Sequence, residues 1–265
     1  MEIIDPDLAP NQNRVVHRRA NVTESRRAPT LLLFTLGAKR ESARRRILPQ
    51  RLNRHEIALR EGLAQHVSSI AAEADCELVI SSPDRPPFDA RWLPQSGNGF
   101  GERLASSIDA VDIDDQRPLI VVGSDTPGMS ERHVNVALSQ LAADPNAVVL
   151  GPSLDGGMYL IGMARPLGSL SGVRWCSRHA LDDFIAALRI AGRTIVLLDP
   201  LEDIDTKSDL ERWLAKRAGS ISLLCISSLL RSLLRELKQS ATSAPLHSAV
   251  ATRLSAAIRP PPTAA

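Results

Sequence analysis

The chain has 265 residues, a net charge of +2 and 43% hydrophobic residues, enough for one α/β domain flanked by tails. Aromatics make up only 3%, so the core must be aliphatic, and the aromatic interleaving on which single-strand nucleic-acid binders stack bases is missing. Cys76, Cys176 and Cys225 are isolated, with no C-x-x-C pair for zinc or redox work, and no apolar run is long enough to span a membrane. The expectation is a cytoplasmic protein with reduced, buried thiols, no nucleic-acid partner and no membrane span.

In chain order, residues 1–28 are polar and Arg-rich and read as a disordered tail. Residues 31–35 form a short apolar run suited to a central strand covered on both faces, and a basic loop follows it. Ile57, Leu59, Leu63, Val67 and Ile70 mark the buried face of a helix over 51–74, and residues 77–81 read as the next strand. Strand, helix, strand begins a parallel sheet. After a Pro-rich loop come a helix over 101–111 and the clearest buried strand, 118–123. Ser130 is a suitable N-cap for a helix whose face carries Val134, Ala137, Leu138 and Leu141. Strands over 147–151 and 158–162, a helix over 180–190, a strand over 194–198 and a helix from Asp209 complete the alternation. Thr206 and Asp209 have the spacing of a capping box.

The domain is therefore expected over 29–215. Beyond it, Leu223, Ile226, Leu230, Leu233 and Leu237 predict an amphipathic helix within 216–239, available for docking on the domain, a homodimer seam or a membrane surface. Residues 240–265, which include three consecutive prolines, read as a second disordered tail.

Three strands end in acidic loops. Asp125, in Gly123-Ser124-Asp125-Thr126-Pro127, stands where open α/β sheets bind ligands and has the chemistry to hold a hard divalent cation. As a turn former it would instead bond its own loop. Asp155-Gly156-Gly157 permits close backbone approach to a phosphate or sugar, and is equally a hairpin turn. In Glu202-Asp203-Ile204-Asp205-Thr206, alternate carboxylates share one side of an extended segment, so Asp203 and Asp205 both reach a site there. Asp205 also suits a helix cap, which makes Asp203 the favoured functional residue.

Taken together, Leu93-Pro94-Gln95, Gly99-Phe100-Gly101-Glu102-Arg103, the Asp125 loop, residues 151–162, Trp175, and Asp203 to Thr206 with Asp209-Leu210 resemble one family closely. It is the radical-SAM- and selenodomain-associated transferase family, which includes arsenosugar-biosynthesis-type glycosyltransferases, and the resemblance spans about residues 31–214. It implies a Rossmann-like GT-A fold, with a mostly parallel central sheet and helices on both faces. It also implies a nucleotide or nucleotide-sugar donor, a small-molecule acceptor and a magnesium or manganese ion on Asp125, with Asp203 and Asp205 as further metal candidates. Asp125 and Asp155 become the catalytic candidates, and Gln95, Arg103, Gly156, Gly157 and Trp175 line the donor or acceptor pocket. Trp175 also suits core or lid packing, and Arg103 a structural tether.

The chain departs from the family in its basic segment. Leu36 replaces the first Lys and the Pro-Gly turn is absent, while Arg44 and Arg46 keep two cations for nucleotide phosphates. Like-charge repulsion there predicts a segment that is mobile without ligand. The function expected is glycosyl transfer from a nucleotide sugar. The alternatives are nucleotidyl transfer to a phosphorylated metabolite and a degenerate, non-catalytic relative.

Overall fold

The first apolar run forms strand β1 (Thr30–Phe34), whose first four residues are buried. In this computed structural model, which describes residues 28–216 apart from 88, 112 and 114–116, β1 belongs to a seven-stranded sheet. The other strands are β2 (Glu77–Ser82), β3 (Arg91–Pro94), β4 (Leu119–Val122), β5 (Ala147–Pro152), β6 (Met158–Met163) and β7 (Thr194–Leu197). Their order is β3-β2-β1-β4-β6-β5-β7. Every neighbouring pair is parallel except the two made by β6, which runs against both β4 and β5.

Alternation along β1 sends Leu31 and Leu33 to one face and Leu32 to the other, and both faces are covered. On the first face, Val67 and Ile70 of α2 (Asn53–Glu73) pack with Val134, Ala137 and Leu141 of α4 (Glu131–Ala143). The second face receives Leu104 and Ile108 of α3 (Phe100–Asp109) and Phe184 and Leu188 of α5 (Ala180–Ile190). A third cluster joins Ile47, Leu48 and Leu52 to Ile204, Leu210 and Trp213, binding the segment after β1 to α6 (Lys207–Lys216). Thr206 and Asp209 cap α6: the Thr206 N–H donates to Asp209 Oδ2 at 2.8 Å, and the Asp209 N–H to Thr206 Oγ1 at 3.2 Å.

Three details differ from the sequence reading. The Pro-rich loop contains β3, an edge strand of four residues ending at Pro94, a position where a missing N–H costs little. The basic loop contains the helix α1 (Ala38–Arg44), which has no apolar stripe to announce it. Cys176 is exposed rather than buried, with Cys76 partly covered. Apart from Lys216, which ends α6, the proposed helix at 216–239 with its dimer seam, Cys225, and the tails over 1–27 and 240–265 lie outside the described residues. Among the described residues, no helix is long and apolar enough to cross a membrane.

Because β6 is reversed, its first residues share an edge of the sheet with the last residues of β1, β4 and β5. The acidic loops gather along that edge.

Candidate active site

The loops after β4 and β7 are stitched together. The Ile204 N–H donates to the Asp125 carbonyl at 2.8 Å, and the Thr126 hydroxyl donates to Asp203 Oδ1. Ile204 is buried between two half-buried aspartates, as alternation along an extended segment requires. Asp125, Asp155, Asp203 and Asp205 all open onto one cleft of about 590 Å³, together with Glu41. Burial, followed by the charges of Asp203, Glu41 and Asp205, pushes the Asp125 carboxyl up to about 8. Burial also raises Asp203, against the lowering effect of its bond from Thr126.

Asp155 does what a turn former does, its Oδ1 accepting the Gly157 N–H at 2.8 Å, yet it also lines the cleft beside Gly157. Gly156 lies behind them with φ +90°, and a Cβ there would come within 2.2 Å of the Arg178 carbonyl oxygen. Its role is to let the hairpin tip pack against the chain that carries Arg178, not to face a ligand.

Cations surround this acidic floor. Arg44, Arg45, Arg103 and Arg178 line the cleft. Arg103 has its Nε buried without a partner among the described residues. Arg45 pairs with Asp205, which neutralises that carboxylate and removes it from any helix-capping role. Arg46 does not reach the cleft; it donates to Asn53 Oδ1 at 3.0 Å instead. The reason is that α1 ends at Arg44 and Arg45 is extended, so neighbouring side chains diverge, and Arg45 takes the inward place expected of Arg46. Gln95 is likewise occupied elsewhere. Its Nε2 donates to the carbonyls of Thr35 and Ser81, both at 3.0 Å, tying the ends of β1 and β2 together behind the cleft. Trp175 does line the cleft, packed between Phe100 and Phe184. No histidine lines it among the described residues.

The basic segment is tethered by a buried ionic chain. Glu56, fully buried, accepts the N–H groups of Ile47 and Leu48 at 3.1 and 2.6 Å and Arg60 Nε at 2.9 Å. Arg60 also donates to Glu41 Oε2 at 3.0 Å and to the Arg45 carbonyl. Glu41 in turn accepts the Thr35 hydroxyl at 2.7 Å and the Leu36 N–H at 3.1 Å. Sequence gave little sign of this chain, since Glu56 and Arg60 have the spacing of an ordinary exposed helix pair.

Among the described residues no group of three or more His, Cys, Asp or Glu side chains encloses a cation site. The adjacent pair Asp125 and Asp203 nevertheless fits magnesium or manganese bound in the manner of nucleotide enzymes. There, one or two carboxylates suffice because water and substrate phosphates complete the shell. The Asp125 carboxyl is raised first by burial and then by the neighbouring acids Asp203, Glu41 and Asp205.

Residues 48–177 match the family model DUF2064, described as an uncharacterized protein conserved in bacteria. No curated protein matches the chain. A solved structure from Desulfovibrio desulfuricans G20, provisionally named a nucleotide-diphospho-sugar transferase, is 21% identical with a TM-score of 0.59. That alignment covers 77% of this chain and 97% of the other. The manganese complex of Rv0371C from Mycobacterium tuberculosis H37Rv aligns at 15% identity and TM-score 0.46, over 71% and 98% of the two chains. CMP:2-keto-3-deoxy-manno-octonic acid synthetase complexed with CTP aligns at 14% identity and TM-score 0.42, over 72% and 98%. The first likeness shows a shared Rossmann-like GT-A fold.

Proposed function

We propose that the chain is a metal-dependent glycosyltransferase, moving a sugar from a nucleoside diphosphate to a small acceptor as the arsenosugar-type relatives it resembles do. The observation that carries this reading is an acidic floor of Asp125 and Asp203 beneath unpaired arginine donors, in one cleft at the carboxyl edge of the sheet. A magnesium or manganese ion on Asp125 and Asp203 would offset the charge that develops on the leaving diphosphate. Arg44, Arg103 and Arg178 hold the phosphate oxygens, and Arg44 is free to do so because no ion pair engages it among the described residues. As the acceptor oxygen bonds to the anomeric carbon, the bond from that carbon to diphosphate oxygen breaks and its electron pair leaves with the diphosphate. The acceptor proton passes to the Asp155 carboxylate, the exposed acid at the cleft mouth.

Calorimetric titration with UDP, CDP, GDP and ADP, with and without manganese, tests the reading. At least one of them should bind more tightly with the metal, and Asp125→Ala should abolish that gain while leaving the far-UV spectrum unchanged. If no nucleotide binds the wild type, the non-catalytic alternative stands. If pyrophosphate is released from a nucleoside triphosphate, the reaction is nucleotidyl transfer.

Arg44→Ala has its own expected result. Losing one charge-assisted bond to phosphate costs about 1.5–3 kcal/mol, roughly tenfold to over a hundredfold in affinity. The diphosphate should lose that much and the corresponding nucleoside almost nothing; equal losses for both would assign Arg44 to the base or ribose.

A further inference from the structure

The chain has four phenylalanines, three tryptophans and one tyrosine. Half of these eight, Phe34, Phe100, Tyr159 and Trp175, line this single cleft. Phe34 meets Phe100 edge-on at 5.3 Å between ring centroids, Phe100 lies 5.5 Å from Trp175, and Trp175 lies 5.6 Å from Phe184. Trp175 is fixed in place by its fit to α3. A Cβ on Gly101 would stand 2.6 Å from the indole, so only a glycine lets the ring lie on the first turn of that helix. Behind the aromatics, Leu104, Val121 and Ile161 close the wall, and Met158 extends it. Except for Tyr159, which packs with the α2 and α4 face, these side chains cluster on the α3 and α5 face of the sheet, whereas Arg60 and its ionic chain belong to α2, which packs on the opposite face.

Apart from the indole N–H and the Tyr159 hydroxyl, which is committed to the Asp199 carbonyl at 3.1 Å, none of these side chains offers a hydrogen bond. A sugar hydroxyl or the edge of a nucleobase pressed against them would give up its water without replacement, at a cost of about 1–3 kcal/mol for each group. The phosphates and the metal already have a place over the carboxylates and among the arginines. What the wall complements is apolar surface, and a half-buried apolar wall beside convergent polar groups is the usual anatomy of a small-molecule pocket.

We propose that this wall is the acceptor subsite, taking a hydroxyl-bearing molecule whose apolar ring or short chain lies against Trp175 and Phe100. Its hydroxyl is then directed toward Asp155 and the donor. The assignment rests on the transferase reading above, which gives the charged side of the cleft to the nucleotide.

Benzyl alcohol serves as the probe, with its binding followed by ligand-observed NMR and with uridine and manganese UDP titrated in parallel. Saturable binding of benzyl alcohol is expected, weakened about tenfold by Trp175→Ala. Met158→Gln, close to isosteric and placed in the same wall, should also weaken it and keeps the test valid if the tryptophan variant fails to fold. The proposal is overturned if benzyl alcohol does not bind the wild type, or binds wild type and both variants equally. It is also overturned if Trp175→Ala weakens uridine tenfold, since the wall would then be a platform for the base. If benzyl alcohol binds at the wall but none of the four nucleoside diphosphates binds with manganese, the transferase reading fails, and the wall is an apolar pocket without an acceptor role.

Discussion

Asp125→Asn should make the metal-free protein more stable, with the gain growing from about pH 4 to about pH 8 and constant above that. In the folded chain the Asp125 carboxyl keeps its proton up to about 8, whereas an ordinary aspartate releases it near 3.8. Between those values the folded state binds the extra proton, so stability falls as pH rises through the window. Each pH unit is worth more than about 1 kcal/mol, and the whole window several. Asparagine has the same shape and no proton to lose, so the variant escapes the decline. Thermal melts across this range check the result; a gain that does not vary with pH would show that Asp125 is not held protonated. Manganese should recover the wild type at high pH and leave the variant unaffected, because an ion that binds the folded state selectively stabilises it.

Glu56→Ala should cost about 3–5 kcal/mol, the usual penalty for orphaning one partner of a buried ion pair. Arg60, only 8% exposed, would lose its Nε acceptor, and the N–H groups of Ile47 and Leu48 would lose theirs. At roughly 2–4 °C per kcal/mol for a domain of this size, the melting temperature should fall by about 6–20 °C. Glu56→Gln, which keeps the acceptor oxygen but not the charge, should fall between the two. Denaturant melts decide it, and a loss under about 1 kcal/mol would mean that the ionic chain is replaceable by water. Since the same chain carries α1, nucleotide affinity should fall along with stability.

The strands and long helices were legible because their signals are local. Val134, Ala137 and Leu141 repeat at helical spacing, and they are the residues of α4 that face the core. The run 118–123 lacks polar interruption because β4 is covered on both sides. Asp125, Asp155, Asp203 and Asp205 could be nominated because each follows an apolar strand, and the sheet brings them together. The basic side was less legible. Whether Arg45 or Arg46 turns inward depends on where a seven-residue helix ends, and helix ends are the least determined feature of a sequence. The direction of β6 was open as well, since Asp155-Gly156 suits a hairpin and a phosphate loop alike. Arg60 and Glu41 act across 19 residues of sequence, beyond the reach of any local pattern.

The reversed strand has a consequence for changing what the cleft accepts. The tip joining β5 to β6, residues 153–157, is a short turn at the mouth, so it can be exchanged while the strand pairings behind it stay in register. Two residues have to be kept through any such exchange, Asp155 for its carboxylate in the cleft and Gly156 for its backbone. Gly156 presses its backbone on the Arg178 carbonyl, and its own carbonyl receives the Leu181 N–H at 3.0 Å, which sets the tip against the start of α5. A library that randomises the exposed Leu154 before a constant Asp155-Gly156-Gly157 would therefore vary the mouth of the cleft on a fixed hinge point, leaving the frame that supports it untouched.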